Sequence, residues 1–259
     1  MEILARRSEA WEPHQVGALI ISPTRELALQ TSNVCKNLGR HLPLQIMVTT
    51  GGTSLKDDIM RLYNPVHILI ATPGRVLDLA NKQVADIRRC NMLVLDEADK
   101  LFEMGFVEQV DSVVAACDGP QITRALFSAT LPETVENLAR SVMTQPIRLT
   151  VGERNSASGS IAQRLVFCGY ERGKLLALRQ LIADGIKPPI IVFVQSKDRA
   201  KQLAKELAGH GLHLGLIHAA MSDTKRRAQV DRFRAGDTWV LVATDLMARG
   251  MDFVGVSTV

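Results

Sequence analysis

Short apolar runs alternate with longer amphipathic segments along almost the whole chain. The runs fall at residues 17–21, 45–49, 66–71, 92–95, 124–127 and 147–150, and a second series at 162–168, 189–194, 212–217 and 238–243. Runs of this length, bounded by turn residues, predict strands buried on both faces of a parallel sheet. Between most of them apolar residues recur at helical spacing, over 25–38, 106–116, 135–142, 174–183, 200–210 and 225–233. Such alternation predicts βαβ units and an α/β fold. Residues 152–160 are small, polar and without periodicity, which reads as a linker. The pattern restarts beyond it, so two domains are expected, over 1–151 and 161–259.

Several predicted strands run directly into helix-capping residues. Residues 17–21 lead to Ser22-Pro23, 66–71 to Thr72-Pro73, 189–194 to Gln195-Ser196 and 238–243 to Thr244-Asp245. Ser and Thr satisfy the free N–H groups of a helix start, and Pro is favoured at the first helical position. The strand at 124–127 leads through Ser128-Ala129 to Thr130, which stands at capping-box spacing from Glu133. Each cap alone reads as structural. Together they place helix N-termini and hydroxyls on one edge of each sheet, an arrangement suited to phosphates. One strand ends differently. Leu93-Val94-Leu95 runs into Asp96-Glu97, with Asp99 two residues on. Ligands bind beyond the carboxyl ends of strands in open α/β sheets. A carboxylate there can hold Mg²⁺ through oxygen, and its neighbour can orient or deprotonate a water. On its own the segment also reads as a solvated acidic turn.

Composition narrows the classes. The chain has 259 residues, 46% hydrophobic and 22% charged, as an ordinary globular protein does. Its net charge of +4 is a mild bias toward polyanions. Cys35, Cys90, Cys117 and Cys168 form no CxxC pair, so neither a zinc site nor a disulfide framework is indicated, and reduced intracellular thiols are expected. The N-terminus lacks a signal-peptide apolar core, and no uncharged run is long enough to span a bilayer. Two Trp and two Tyr argue against aromatic stacking as the main mode of nucleic-acid binding.

The ordered set Pro23-Thr24-Arg25-Glu26-Leu27-Ala28, Gly51-Gly52, Thr72-Pro73-Gly74-Arg75, Asp96-Glu97-Ala98-Asp99, Gly105-Phe106 and Ser128-Ala129-Thr130 resembles the first domain of DEAD-box ATP-dependent RNA helicases. Val192-Phe193-Val194-Gln195, Phe233-Arg234-Ala235-Gly236 and Ala243-Thr244-Asp245 through Arg249-Gly250-Met251-Asp252 resemble motifs of the second. The resemblance covers nearly the whole chain. It implies two RecA-like parallel-sheet domains that close over ATP and single-stranded RNA, with ATP, Mg²⁺ and RNA required.

By that resemblance Asp96 is the Mg²⁺-binding acid and Glu97 the residue that activates the attacking water. Asp99 bonds to Ser128 and Thr130 and links ATP state to domain closure. Arg25, Gly52, Thr72, Gly74 and Arg75 match positions that grip the RNA backbone. An Arg forks onto phosphate oxygens and a glycine lets backbone amides approach, without reading base sequence. In the second domain Thr244 matches a phosphate-contacting hydroxyl and Arg226 an RNA contact. Gly250 and Asp252 match the segment that meets the ATP ribose, and Asp245 an acid that orients catalytic arginines. Residues 151–156, 173–178 and 188–196 look most like the Rok-type branch, which acts in the nucleolus in assembly of the small ribosomal subunit and so implies rRNA processing.

The chain also departs from the family pattern. Ala219 stands where Gly is usual and Asp223 where Gln is usual, and an acid beside RNA would repel phosphate. No G-x-x-x-x-G-K-[ST] P-loop occurs, and the family's final arginine-rich motif is missing. The expectation is therefore a fragment of a longer helicase, with both domains incomplete, exposed sheet edges and little ATPase activity from residues 1–259. A non-enzymatic RNA-binding relic or scaffold and a DNA-directed translocase are the rival readings.

Overall fold

The computed structural model describes residues 14–151, 161–209, 211–218, 220–244, 253 and 255–259. The predicted linker lies outside them. The chain divides into compact units over Met1–Ser158 and Gly159–Val259.

In the first unit, strands β1 (Val16–Ile21), β2 (Ile46–Thr49), β3 (Val66–Ala71), β4 (Met92–Leu95) and β5 (Thr123–Leu126) form one sheet in the order β2-β3-β1-β4-β5. Every pairing is parallel. The connections carry helices α1 (Arg25–Leu38), α2 (Leu55–Leu62), α3 (Pro73–Asn81), α4 (Ala98–Glu103) and α5 (Val107–Ala116), and α6 (Glu133–Val142) follows β5. The pleat sends alternate residues of each strand to opposite faces. Leu19, Ile21, Leu69 and Ala71 join Val76, Leu79, Val110, Val113 and Leu138 in one core. Ala18, Ile68 and Ile70 join Ala28 of α1 in another. Burial on both faces is why these strands read as continuous apolar runs.

The second unit has a parallel sheet of β6 (Ile190–Val194), β7 (Leu214–Ile217) and β8 (Val240–Thr244), in the order β6-β8-β7. Its helices are α7 (Glu171–Ala183), α8 (Lys197–Ala208) and α9 (Asp223–Arg234). Ile191, Ile217 and Leu241 pack with Val230 and Phe233 of α9, and Val242 packs with Ala200, Leu203 and Leu207 of α8. β7 runs so close to its neighbours that a Cβ on Gly215 would lie 2.8 Å from Thr238 Cγ2 and 3.0 Å from Leu241 Cδ1.

Two predicted strands do not form. Residues 147–150 and 162–168 adopt no regular structure, and Ile147, Leu149, Leu165 and Phe167 are almost fully exposed. A strand requires a neighbour to complete a ladder, and among the described residues no strand pairs with either segment. The expected capping box also fails. The N-cap of α6 is Pro132, and the Thr130 side chain serves another partner.

Candidate functional site

Strand register determines which loops meet. Ile21 pairs with Ala71 and with Leu95, Thr49 pairs with Ala71, and Leu95 pairs with Leu126. These residues form one row across the carboxyl ends of the first sheet. The segments beginning at Thr50, Thr72, Ser22, Asp96 and Phe127 therefore emerge along a single edge. All the singled-out residues of this unit stand on or just beyond it.

Beside the central strand β1, that edge carries the turn from β4 into α4. The Asp96 amide donates to Ile21 O at 2.9 Å, which fastens the turn to β1. Burial pushes the Asp96 carboxyl above its ordinary range, against hydrogen bonds from the Glu97 amide and the Thr31 hydroxyl. Thr31, on α1, was not anticipated. Its position two turns into a helix carries no sequence signal of its own. Glu97 has φ 51° and ψ 53°, the left-handed region that a non-glycine residue enters at a cost of about 1–2 kcal/mol. Such backbone strain concentrates at functional sites. Burial raises the Glu97 carboxyl, and the charges of Asp99 and Asp96 raise it further. A carboxylate with elevated basicity beside another that can bind a cation is suited to taking a proton from water.

Asp99 has the opposite electrostatics. It is 2% exposed. Its Oδ2 accepts from Thr130 Oγ1 at 2.6 Å and from the Thr130 amide at 3.2 Å, and its Oδ1 accepts from the Lys100 amide at 3.0 Å. The Asp99 amide donates to Ser128 Oγ at 3.2 Å, and that hydroxyl donates to Thr130 O at 2.6 Å. Burial alone would raise the Asp99 carboxyl. The Thr130 hydroxyl, the Lys100 charge, Ser128 and the Thr130 amide outweigh it and hold the carboxyl below its ordinary range. The structure brings Asp99 together with Ser128 and Thr130, Thr130 bonding to its carboxylate and Ser128 to its backbone amide.

Along the same edge, Thr24 caps α1 by accepting from the Leu27 amide at 3.2 Å, which leaves Arg25 as the first helical residue. Gly52 has φ +82°, and a Cβ placed there would sit 4.0 Å from an Arg25 guanidinium nitrogen. The two predicted contacts are therefore neighbours. Thr72 is the N-cap of α3 without making a side-chain cap. Its hydroxyl accepts from the Gly51 amide at 3.3 Å instead. Gly74 is exposed, with open space around it. Arg75 differs from the rest. It is 9% exposed, and its guanidinium donates to Asp58 Oδ2 at 2.6 Å and to Thr53 O at 2.7 Å. Asp58 lies in none of the motifs that single out the other residues.

In the second unit Thr244 is buried at the carboxyl end of β8, in register with Val194 at the end of β6. Arg226 is half-buried on α9, between the exposed Lys225 and Arg227. Asp245, Gly250, Asp252 and Ala219 lie outside the described residues, as does the Asp223 side chain.

Among the described residues no group of three or more His, Cys, Asp or Glu side chains could cage a metal ion. Mg²⁺ is usually bound through one or two carboxylates together with waters and substrate phosphates. Asp96 at the sheet edge fits that mode.

An open parallel α/β sheet with an acidic turn beyond the carboxyl end of β4 has the architecture of the RecA-like class. Comparison with known families makes this specific. Residues 3–138 match the DEAD/DEAH box helicase model, and residues 173–259 match the helicase conserved C-terminal domain. The chain belongs to the DEAD-box helicase family. It is 50% identical over 244 residues to DEAD-box ATP-dependent RNA helicase 57 of Oryza sativa, covering 94% of this chain and 45% of the relative. It is 43% identical over 253 residues to ATP-dependent RNA helicase ROK1 of Eremothecium gossypii, covering 94% and 44%. The chain thus spans about half the length of the curated relatives it matches. Among solved structures, S. cerevisiae Dbp5 L327V bound to RNA and ADP BeF3 superposes with a TM-score of 0.82 at 27% identity, covering 95% of this chain and 62% of that one. A DEAD box protein from Methanococcus jannaschii gives a TM-score of 0.51 at 32% identity, covering 92% and 63%.

Proposed function

We propose that this chain is part of an ATP-dependent RNA helicase in which RNA-stimulated ATP hydrolysis drives local separation of RNA duplexes. The observation that carries the reading is the shared sheet edge. Asp96, Glu97 and the Asp99–Thr130 bond stand on it together with Arg25, Gly51, Gly52 and Thr72. A nucleotide-handling turn and a phosphate-binding turn held by one rigid sheet are mechanically connected.

In this reading residues 1–151 form the first RecA-like domain, 152–160 the linker and 161–259 the second. Asp96 would hold Mg²⁺, which neutralises charge on the phosphates of ATP when bound. Glu97 orients the attacking water and accepts its proton. Asp99 holds Ser128 and Thr130 against the α4 turn, so a shift of that turn reaches β5 and α6. Arg25 and the amides around Gly52, Thr72 and Gly74 take RNA phosphates, with Arg226 and Thr244 as contacts from the second domain. Asp245, Gly250 and Asp252 serve the nucleotide. Such contacts make binding sensitive to salt and indifferent to base sequence. A Dbp5 complex with RNA as a structural neighbour supports RNA as the polymer. Identity to ROK1 supports the Rok-type branch, and with it rRNA processing for the small ribosomal subunit in the nucleolus.

The test is ATP hydrolysis with and without single-stranded RNA by the product of the full transcript that encodes this chain, beside its Glu97→Gln variant. RNA stimulation abolished by the substitution is the expected result. RNA binding without hydrolysis would establish a scaffold instead. Preference for DNA over RNA of the same sequence would overturn the substrate assignment, because RNA is told from DNA through its 2′-hydroxyl.

A further inference from the structure

Asp58 is 4% exposed and lies on α2, outside the motifs named above. Its Oδ2 accepts from Thr49 Oγ1 at 2.5 Å, from Arg75 at 2.6 Å and, more weakly, from Thr53 Oγ1 at 3.4 Å. Thr49 is the last residue of β2, and Thr53 closes the turn that contains Gly51 and Gly52. Arg75 donates onward to Thr53 O, Thr53 Oγ1 donates to Thr50 O at 2.8 Å, and the Gly51 amide donates to Thr72 Oγ1. The carboxylate thus ties both ends of the glycine turn to the start of α3. The Arg75 guanidinium points into this network and is nearly closed to solvent. A buried charge pair of this kind is retained only when well bonded, and breaking one side leaves the other uncompensated.

We infer that Asp58 is a positioning residue for RNA binding. With Arg75 it holds the Thr49–Thr53 turn so that the Gly52 amide and Arg25 face the RNA backbone, and Arg75 acts from behind the turn rather than as a phosphate clamp. The inference rests on the proposed RNA edge and assigns its specificity of shape to a residue that never touches RNA.

The sign of one substitution separates this from simple electrostatics. Asp58→Asn deletes a negative charge beside a polyanion site. If Asp58 acted only through its field, RNA would bind more tightly. If it positions the turn, RNA binds less tightly, by roughly tenfold, about 1.4 kcal/mol. The measurement is fluorescence anisotropy of a labelled single-stranded uridine homopolymer with the full chain and with Asp58→Asn, across a salt series, with thermal unfolding to establish that the variant folds. Thr49→Val carries the same test should Asp58→Asn fail to fold, because it removes an uncharged donor to the carboxylate at nearly constant volume. Weaker binding by the folded variant supports the inference. Equal or tighter binding overturns it while the RNA edge stands. Absence of binding by the unsubstituted chain would remove the RNA edge itself, and the inference with it.

Discussion

Asp99 Oδ2 lies 2.6 Å from Thr130 Oγ1, and that contact joins the acidic turn after β4 to the segment after β5. The hydroxyl donates to a buried carboxylate, one of the stronger kinds of hydrogen bond in a protein. Replacing Thr130 by Ala is expected to destabilise the first unit by about 1.5–3 kcal/mol. A double-mutant cycle with Asp99→Asn checks this in urea unfolding, where the two effects should fall short of additivity by about 0.5–3 kcal/mol.

The lowered Asp99 carboxyl has a defined pH signature. Its stabilisation is fully present above the unfolded value, ordinarily 3.8, and is lost as pH falls through the lower folded value. The difference in unfolding free energy between the unsubstituted chain and Asp99→Asn should therefore be largest near neutrality. It should shrink only below 3.8, read by denaturant unfolding at a series of pH values.

Glu97 has the opposite sign. Its folded carboxyl is raised, so its ionised form is a penalty that sets in as pH rises above 4.5 and is complete above the folded value. Glu97→Gln removes that penalty and the repulsion from Asp96 and Asp99. We expect the variant to be more stable at pH 7 by about 0.5–2 kcal/mol. The gain disappears below 4.5, as scanning calorimetry at both pH values would show. A gain in stability on substitution is the trade-off expected at the position proposed above to be catalytic.

Arg25 stands beside Gly52 on the proposed RNA edge. Arg25→Gln should weaken RNA binding to a similar degree for all base sequences. Loss of one phosphate contact to a single strand lowers the slope of log affinity against log salt by about 0.7. Titrations of several homopolymers over a salt range measure both.

Gly215 tests packing in the second unit. A methyl group there would press on Thr238, Leu241 and Gln229. Gly215→Ala is expected to destabilise by about 1–3 kcal/mol through overpacking, measured by thermal unfolding.

Much of this protein is determined by sequence alone. Burial on both faces requires continuous apolar strands, so β1, β3 and β4 are legible as runs, and the helical period marks α1 and α5. The order of Arg25, Gly52, Thr72, Asp96, Glu97 and Ser128 carries the family resemblance. Register, however, is a property of pairing between distant segments. Only the tertiary structure brings Gly52 to Arg25 and the Gly51 amide to Thr72. It also turns Thr130 from a nominal cap into the partner of Asp99, and buries Arg75 against Asp58. The apolar residues at 147–150 and 162–168 show the same limit from the other side. A strand's pattern states what it can bury, whereas a ladder exists only where a second backbone lies alongside to accept and donate its hydrogen bonds.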